Sequence, residues 1–362
     1  MKNSKYLIIG LVAIILIVGL FFIINNQPEE KELNIVAWIG YDEADFLRPF
    51  EEKYNVKVNV KTAVGDPNVV SLLEQSPETY DLIVVGPETV PKLYAKDLLE
   101  PLDKDKYPVE NFIEPLNDFP FVTIDGNTYA IPVRWGSNGI LYNPKYLSEE
   151  DVSSYSILWD EKVKGKVGIW DYYIPSMGVI SRYLGNEKAH DISNEKLSEL
   201  GETLSTLKPQ VRAILASGAD VHTALANEEV WIVPGGGEWN VAVLKEQGHD
   251  IAWAVPEEGG LMWAESISIV KGAKNKDMAD KFIEYITSSE GQAIVAWRKA
   301  YIGIPANKDA FELLSENQQD IMQAHNAEEA QELAKQVSVR SLPIQQEEQE
   351  WLDVWQNFKA GV

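Results

Sequence analysis

Read for hydrophobic period alone, the chain alternates between short apolar runs and stretches spaced like helices. Residues 33–37 (LNIVA) form a short strand that breaks at Trp38 to Tyr41. Asp42 is placed to cap a helix whose apolar side carries Phe46, Leu47 and Phe50. Residues 56–60 (VKVNV) alternate as a strand does. Asp66-Pro67 opens a second helix, with Val69, Val70, Leu72 and Leu73 on its apolar side. Residues 80–85 (YDLIVV) read as a buried parallel strand ending at Gly86-Pro87. Strand, helix, strand, helix, strand is a doubly wound α/β pattern, and such sheets take ligands at the carboxyl ends of their strands. Trp38, Tyr41 and Glu88 sit at such ends.

Further on, residues 129–143 hold a strand, a glycine-containing break and a second strand, the pattern of a crossover. Strand-to-helix units recur at 164–184, through the loop from Asp171 to Ser176, and at 230–246, through Pro234-Gly235-Gly236-Gly237. Residues 251–255 are another strand, and a Gly-Gly turn leads into the apolar run 261–270. Helices follow at 277–288 and 291–298, and the chain from about Phe311 reads as helical and polar.

Ahead of all this, residues 6–24 are uninterrupted and apolar, long enough to span a bilayer core. Lys2 and Lys5 precede the run and Glu29, Glu30 and Glu32 follow it, which sets the N-terminus inside the cell and the rest outside. The run reads as an N-terminal transmembrane helix, with a cleaved signal as the alternative; no small-residue cleavage site follows it. Residues 1–27 are then the anchor or signal, and 28–32 a polar tether.

Composition narrows the chemistry. The 362 residues carry a formal net charge of -24, which argues against a nucleic-acid partner, since that calls for a basic stripe. Cationic partners fit better. The absence of cysteine removes disulfides, thiolate metal sites, thiol nucleophiles and a lipid-modified cysteine. The four histidines, at 190, 222, 249 and 325, have no metal-ligand spacing, and no GxSxG or phosphate-loop signature is present. No metal, no cofactor and no catalytic activity are expected.

The most suggestive pair is Trp263 and Glu265. Residues two apart in a strand face the same side, so an aromatic face and a carboxylate project together. That suits an organic ammonium, for which the ring alone contributes about 0.5–2 kcal/mol. The structural alternative is a strand-edge tryptophan beside a solvated glutamate.

With Trp38 and Tyr41, residues 80–85, Ile131-Pro132 before Trp135-Gly136, residues 158–167, Glu258-Gly259-Gly260-Leu261-Met262-Trp263 and Lys359-Ala360-Gly361 in this order, the chain resembles the spermidine/putrescine-binding proteins of ABC importers. The resemblance covers roughly residues 33–361. It implies a two-lobed type II periplasmic-binding α/β fold, with lobe 1 at 33–135 and 262–320 and lobe 2 at 136–261 and 321–362. The hinge would be crossed near 135, 261 and 320, and lobe closure would enclose the ligand. It also implies an extracytoplasmic, monomeric receptor that takes a polyamine and meets permease subunits in the membrane.

Carried over by position, the resemblance implies an aromatic box of Trp38, Tyr41 and Trp263, with Tyr301 as a further member and Glu265 as the ammonium-gripping acid. The departures from the family are informative. Asp171, Tyr172 and Pro175 stand where an acidic loop is usual, Gly236 where a tryptophan is usual with Trp239 three residues on, and Glu88 where a tyrosine is usual. Arg134 and Arg340 could instead serve a carboxylate or phosphonate through a two-pronged hydrogen-bond pair, which makes a zwitterionic or anionic solute the alternative ligand. Both arginines could equally be salt-bridged hinge residues.

Overall fold

The computed structural model describes residues 31–63, 65–298 and 301–362. The sequence segment assigned to the membrane lies outside these residues. Among the described residues no helix is long and apolar enough to cross a membrane.

Two mixed sheets organise the chain. In the first, the strands run Val56–Thr62, Lys31–Ala37, Leu82–Val85, Gly260–Ile269, Ile131–Asn138 and Ile304–Pro305, and Val337–Val339 adds in parallel to the start of Gly260–Ile269. The first three are mutually parallel, whereas Gly260–Ile269 runs antiparallel to both of its long neighbours. Every residue of Ile131–Asn138 and Gly260–Ile269 is buried. Covered on both faces, such strands lack the in-out alternation of an edge strand, and their sequences lack it too. The second sheet runs Ala252–Ala254, Ile140–Tyr142, Ile232–Pro234, Val167–Trp170 and Val211–Leu215, with its last three strands parallel.

The chain passes from the first sheet to the second at Gly139 and returns between Ala254 and Gly260. A Cβ on Gly139 would lie 2.2 Å from the Ala254 carbonyl oxygen, so the two passing segments run backbone against backbone and only glycine fits. Sequence reasoning sets the third pass near 320. In the structure Val337–Val339 still pairs with the first sheet, and the helix Glu348–Lys359 then packs on the second lobe's helices Tyr173–Tyr183 and Asn194–Leu207.

Two local expectations differ from the structure. The first helix begins at Ala44, with Glu43 rather than Asp42 at its cap position. The C-terminal region contains the strand Val337–Val339, and its last helix buries Trp351, Trp355 and Phe358. Glutamates and glutamines around those three aromatics make the segment read as polar in a window average, although its apolar face is well formed.

Candidate functional site

Parallel strands of both sheets direct their carboxyl ends at one cleft between the lobes. From the first come Trp38 after Lys31–Ala37, Asp66 after Val56–Thr62 and Gly86 after Leu82–Val85. From the second come Asp171 and Tyr172 after Val167–Trp170, and Ser217 after Val211–Leu215. The cleft encloses about 330 Å³, and Trp170, Trp263, Glu265, Tyr301 and Arg340 complete its wall. That is a volume suited to a small organic solute.

Trp263 and Glu265 do share one face, and the neighbouring strand decides what each can do. Glu265 lies directly across from Arg134 in the ladder, and Trp263 directly across from Gly136. Arg134 donates from Nε to Glu265 Oε2 at 2.8 Å and from Nη2 to Oε1 at 3.1 Å. Its Nη1 donates to the carbonyls of Val295 and Tyr301, each at 2.7 Å. The Tyr41 hydroxyl donates to Glu265 Oε2 at 2.5 Å, and the guanidinium lies 5.3 Å from the Tyr41 ring centre and 5.4 Å from that of Tyr301. Tyr41, Tyr301 and Glu265 therefore already surround a cation, and it is the protein's own. Arg134 has no exposed surface. Burial and then the Glu265 charge drive the Tyr41 phenol well above its ordinary range.

A second pair repeats this pattern at the cleft wall. Arg340 donates from Nε and Nη2 to Glu88 Oε1, at 2.8 and 2.7 Å, and lies 5.8 Å from the Tyr172 ring centre. Asp171 accepts both Lys359 Nζ, at 2.7 and 2.9 Å, and the Trp355 indole, at 2.9 Å. The last helix thus fixes the loop that carries Tyr172. Trp239 is buried, its ring 5.7 Å from Trp263 and 5.6 Å from Tyr301, so it backs the box and lines none of the cleft.

Two acidic groups that the sequence reading did not single out are Asp66 and Glu238. Asp66 Oδ2 accepts the Gly86 N–H at 3.0 Å and the Thr89 hydroxyl at 2.6 Å. Burial and the charge of Glu88 raise its carboxyl to about 7. Glu238 is fully buried at the start of helix Glu238–Glu246 and reaches back to the first lobe's strand, where Oε2 accepts the Ser137 N–H at 3.1 Å. Burial raises its carboxyl to about 8, against smaller opposing effects from backbone N–H groups and the Trp263 indole. A sequence signal existed for Asp66, which follows a strand end in the same series as Trp38 and Glu88. For Glu238, a lone acid after a glycine run reads as a helix-start charge, and only the tertiary fold shows that it is buried.

The family described as bacterial extracellular solute-binding protein matches residues 45–327. The chain belongs to this family. This solute-binding protein is 25% identical over 350 residues to the putrescine/agmatine-binding protein of Pseudomonas aeruginosa, covering 92% of this chain and 93% of that one. It is 27% identical over 295 residues to the spermidine/putrescine-binding periplasmic protein of Escherichia coli, covering 80% and 82%. Its fold superposes on a putative spermidine/putrescine ABC transporter from Listeria monocytogenes with a TM-score of 0.74 at 25% identity, covering 91% of this chain and 99% of that one. The spermidine/putrescine substrate-binding protein of Streptococcus pneumoniae shares the fold at a TM-score of 0.78 and 24% identity, covering 91% and 99%. The resemblance drawn from the sequence and the α/β periplasmic-binding fold are both borne out.

In this solute-binding protein Gly136 is where the hinge strand, the box and the second lobe meet. A Cβ there would fall 1.7 Å from Glu238 Oε1 and 2.5 Å from two Trp263 ring carbons, all of them buried. Glu238 is held by the Ser137 N–H, and the side on which Trp263 can give way is the cleft. Gly136→Ala is expected to lower stability by about 1–3 kcal/mol and to push Trp263 from its place in the cleft. Thermal unfolding together with ligand titration checks both effects, and a variant of unchanged stability and affinity would refute the close fit.

Proposed function

We propose that this chain is the extracytoplasmic receptor of an ABC importer and captures a small organic cation of the polyamine class between its lobes, without chemical change. What carries the reading is the cleft's charge balance among aromatic faces. Trp38, Trp170, Tyr172, Trp263 and Tyr301 surround it, and of the acids that line it Glu265 is paired with Arg134 and Asp171 with Lys359, which leaves Asp66 without an ion-pair partner among the described residues. Arg134 and Arg340 are both committed to carboxylates, so neither offers a free fork to an anionic solute. Relatives named for putrescine, agmatine and spermidine support the same ligand class, and their names support partnership with a membrane permease. On this reading the apolar run at residues 6–24 holds the receptor at the outer membrane face, and the receptor acts as a monomer. The carboxylate of Glu265 acts through Arg134, while the aromatic faces contact the ligand's methylenes.

One observation favours a second reading. The Trp38 indole N–H is buried and has no acceptor among the described residues, and an oxygen on a zwitterionic solute would supply one. Calorimetric titration of residues 31–362 with putrescine, agmatine, spermidine and spermine, beside glycine betaine and 2-aminoethylphosphonate, separates the two. Saturable heat with an amine and none with the zwitterions is the expected result. Binding of the zwitterions alone would overturn the cation reading and leave the receptor role in place.

A further inference from the structure

The box expected to receive an ammonium is occupied by Arg134, so the ligand's charge needs another partner. Each of the paired carboxylates around the cleft has its own cation: Glu265 has Arg134, Glu88 has Arg340 and Asp171 has Lys359. Among the described residues Asp66 has no such counter-ion. Its Oδ1 is sealed from solvent and has no partner among the described residues, and its Oδ2 has only the neutral Gly86 N–H and Thr89 hydroxyl. Glu88 crowds it, since a Cβ on Gly86 would lie 2.7 Å from Glu88 Oε2 and 2.9 Å from Asp66 Oδ2. Two acids thus share one guanidinium, and the cheaper arrangement keeps a proton on the one without it.

We propose that Asp66 is the residue that receives the ligand's ammonium group, and that it gives up its carboxyl proton to solvent as the cation arrives. The exchange balances: a neutral carboxyl and an ammonium enter, and a carboxylate–ammonium pair and one solvent proton leave. The placement of Asp66 suits this role. It lines the main cleft and also a second cavity of about 270 Å³ beyond Tyr172, so a cation seated there can extend its chain to either side. The groups around it are Glu88 and Lys92 from residues 87–95, Arg340 after the strand Val337–Val339, Tyr172 before the helix Tyr173–Tyr183, and Glu348 on the last helix. Arg340 stays protonated and Tyr172 stays neutral, its phenol raised by burial to about 12. Asp66, raised to about 7, changes charge near neutrality.

The inference rests on the cation reading above, and one experiment separates their failures. Putrescine keeps its charges through this range because alkylammonium groups titrate near 10. Its affinity for the wild type is expected to weaken about tenfold per pH unit below 7 and to level off above 8. At pH 6.5 the binding heat should differ between phosphate and Tris in proportion to a released proton. Asp66→Asn should bind more weakly at pH 8, with no pH slope and no buffer-dependent heat. Glu88→Gln, which removes the crowding charge, should move the slope to lower pH. Putrescine binding with equal heats in both buffers, or an Asp66→Asn protein that still releases the proton, would overturn the assignment of Asp66 while sparing the cation reading. Failure of putrescine, agmatine, spermidine and spermine all to bind would overturn both.

Discussion

Arg134→Met is expected to destabilise the protein by about 3–5 kcal/mol, because it leaves the Glu265 carboxylate in a dry interior without its counter-ion. The loss has a second part. Arg134 also satisfies the carbonyls of Val295 and Tyr301, and its guanidinium fills the space between the Tyr41 and Tyr301 rings. The pair's net worth is a different quantity from the cost of breaking it, since two ions had to be desolvated to form it. Arg134→Met combined with Glu265→Met should therefore recover most of the stability lost by the single variant. Denaturant unfolding of the two single variants and the double variant completes the cycle. Additive losses would mean that the two side chains are not coupled, contrary to their bidentate geometry. Ligand affinity should fall in the single variant, because Tyr301, whose ring and carbonyl Arg134 supports, lines the cleft.

Stability should also decline as pH rises from about 6.5 to 8, with Glu238 as the main cause; below that the buried His190, its ring lowered to about 4 by burial, makes a contribution of opposite sign. Its carboxyl is raised to about 8 in the folded chain, far above the ordinary carboxylate range that it returns to on unfolding. Below that ordinary range both states hold the proton. Between the ordinary range and 8 the unfolded chain has lost it and the folded chain has not, so the native state binds more protons and stability falls with pH. Above 8 both are ionised and the decline stops. Asp66 adds a term of the same sign that ends near 7. The total is on the order of a few kcal/mol for a shift of this size. Glu238→Gln should be close to wild type at pH 5 and more stable at pH 8.5, as read by melting temperature. Parallel curves for the two proteins across that range would show that Glu238 ionises freely, and the burial argument would fail.

Much of the architecture was legible because the sequence encodes it locally. The parallel strands of the first lobe are short apolar runs bounded by turns, and the glycine-containing break within residues 129–143 reads as a crossover, whereas the pass near 261 came from the family resemblance. The third pass was not legible. Val337, Ser338 and Val339 are too few and too mixed to signal a strand, and their place is set by pairing with Gly260 to Met262, more than seventy residues earlier. The same divide runs through the site. Trp38 and Trp263 were found from a strand end and from period, which are local properties, and Tyr172 from the family resemblance. What Glu265 and Glu88 pair with depends on Arg134 and Arg340, and the sequence offered these arginines as ligand groups or hinge salt bridges without deciding between them. The ladder decides the first by placing Arg134 opposite Glu265. Asp66 was passed over because Asp-Pro at a helix start has a sufficient local explanation.

The path of the chain has a practical consequence. Lys57 is exposed on an edge strand of the first sheet, whereas Gln356 is exposed on the last helix, which packs on the other lobe. Because the protein contains no cysteine, thiols introduced at these two positions would be its only sites for maleimide dyes. A donor and acceptor placed there would ride on opposite jaws and turn each capture event into a change in colour.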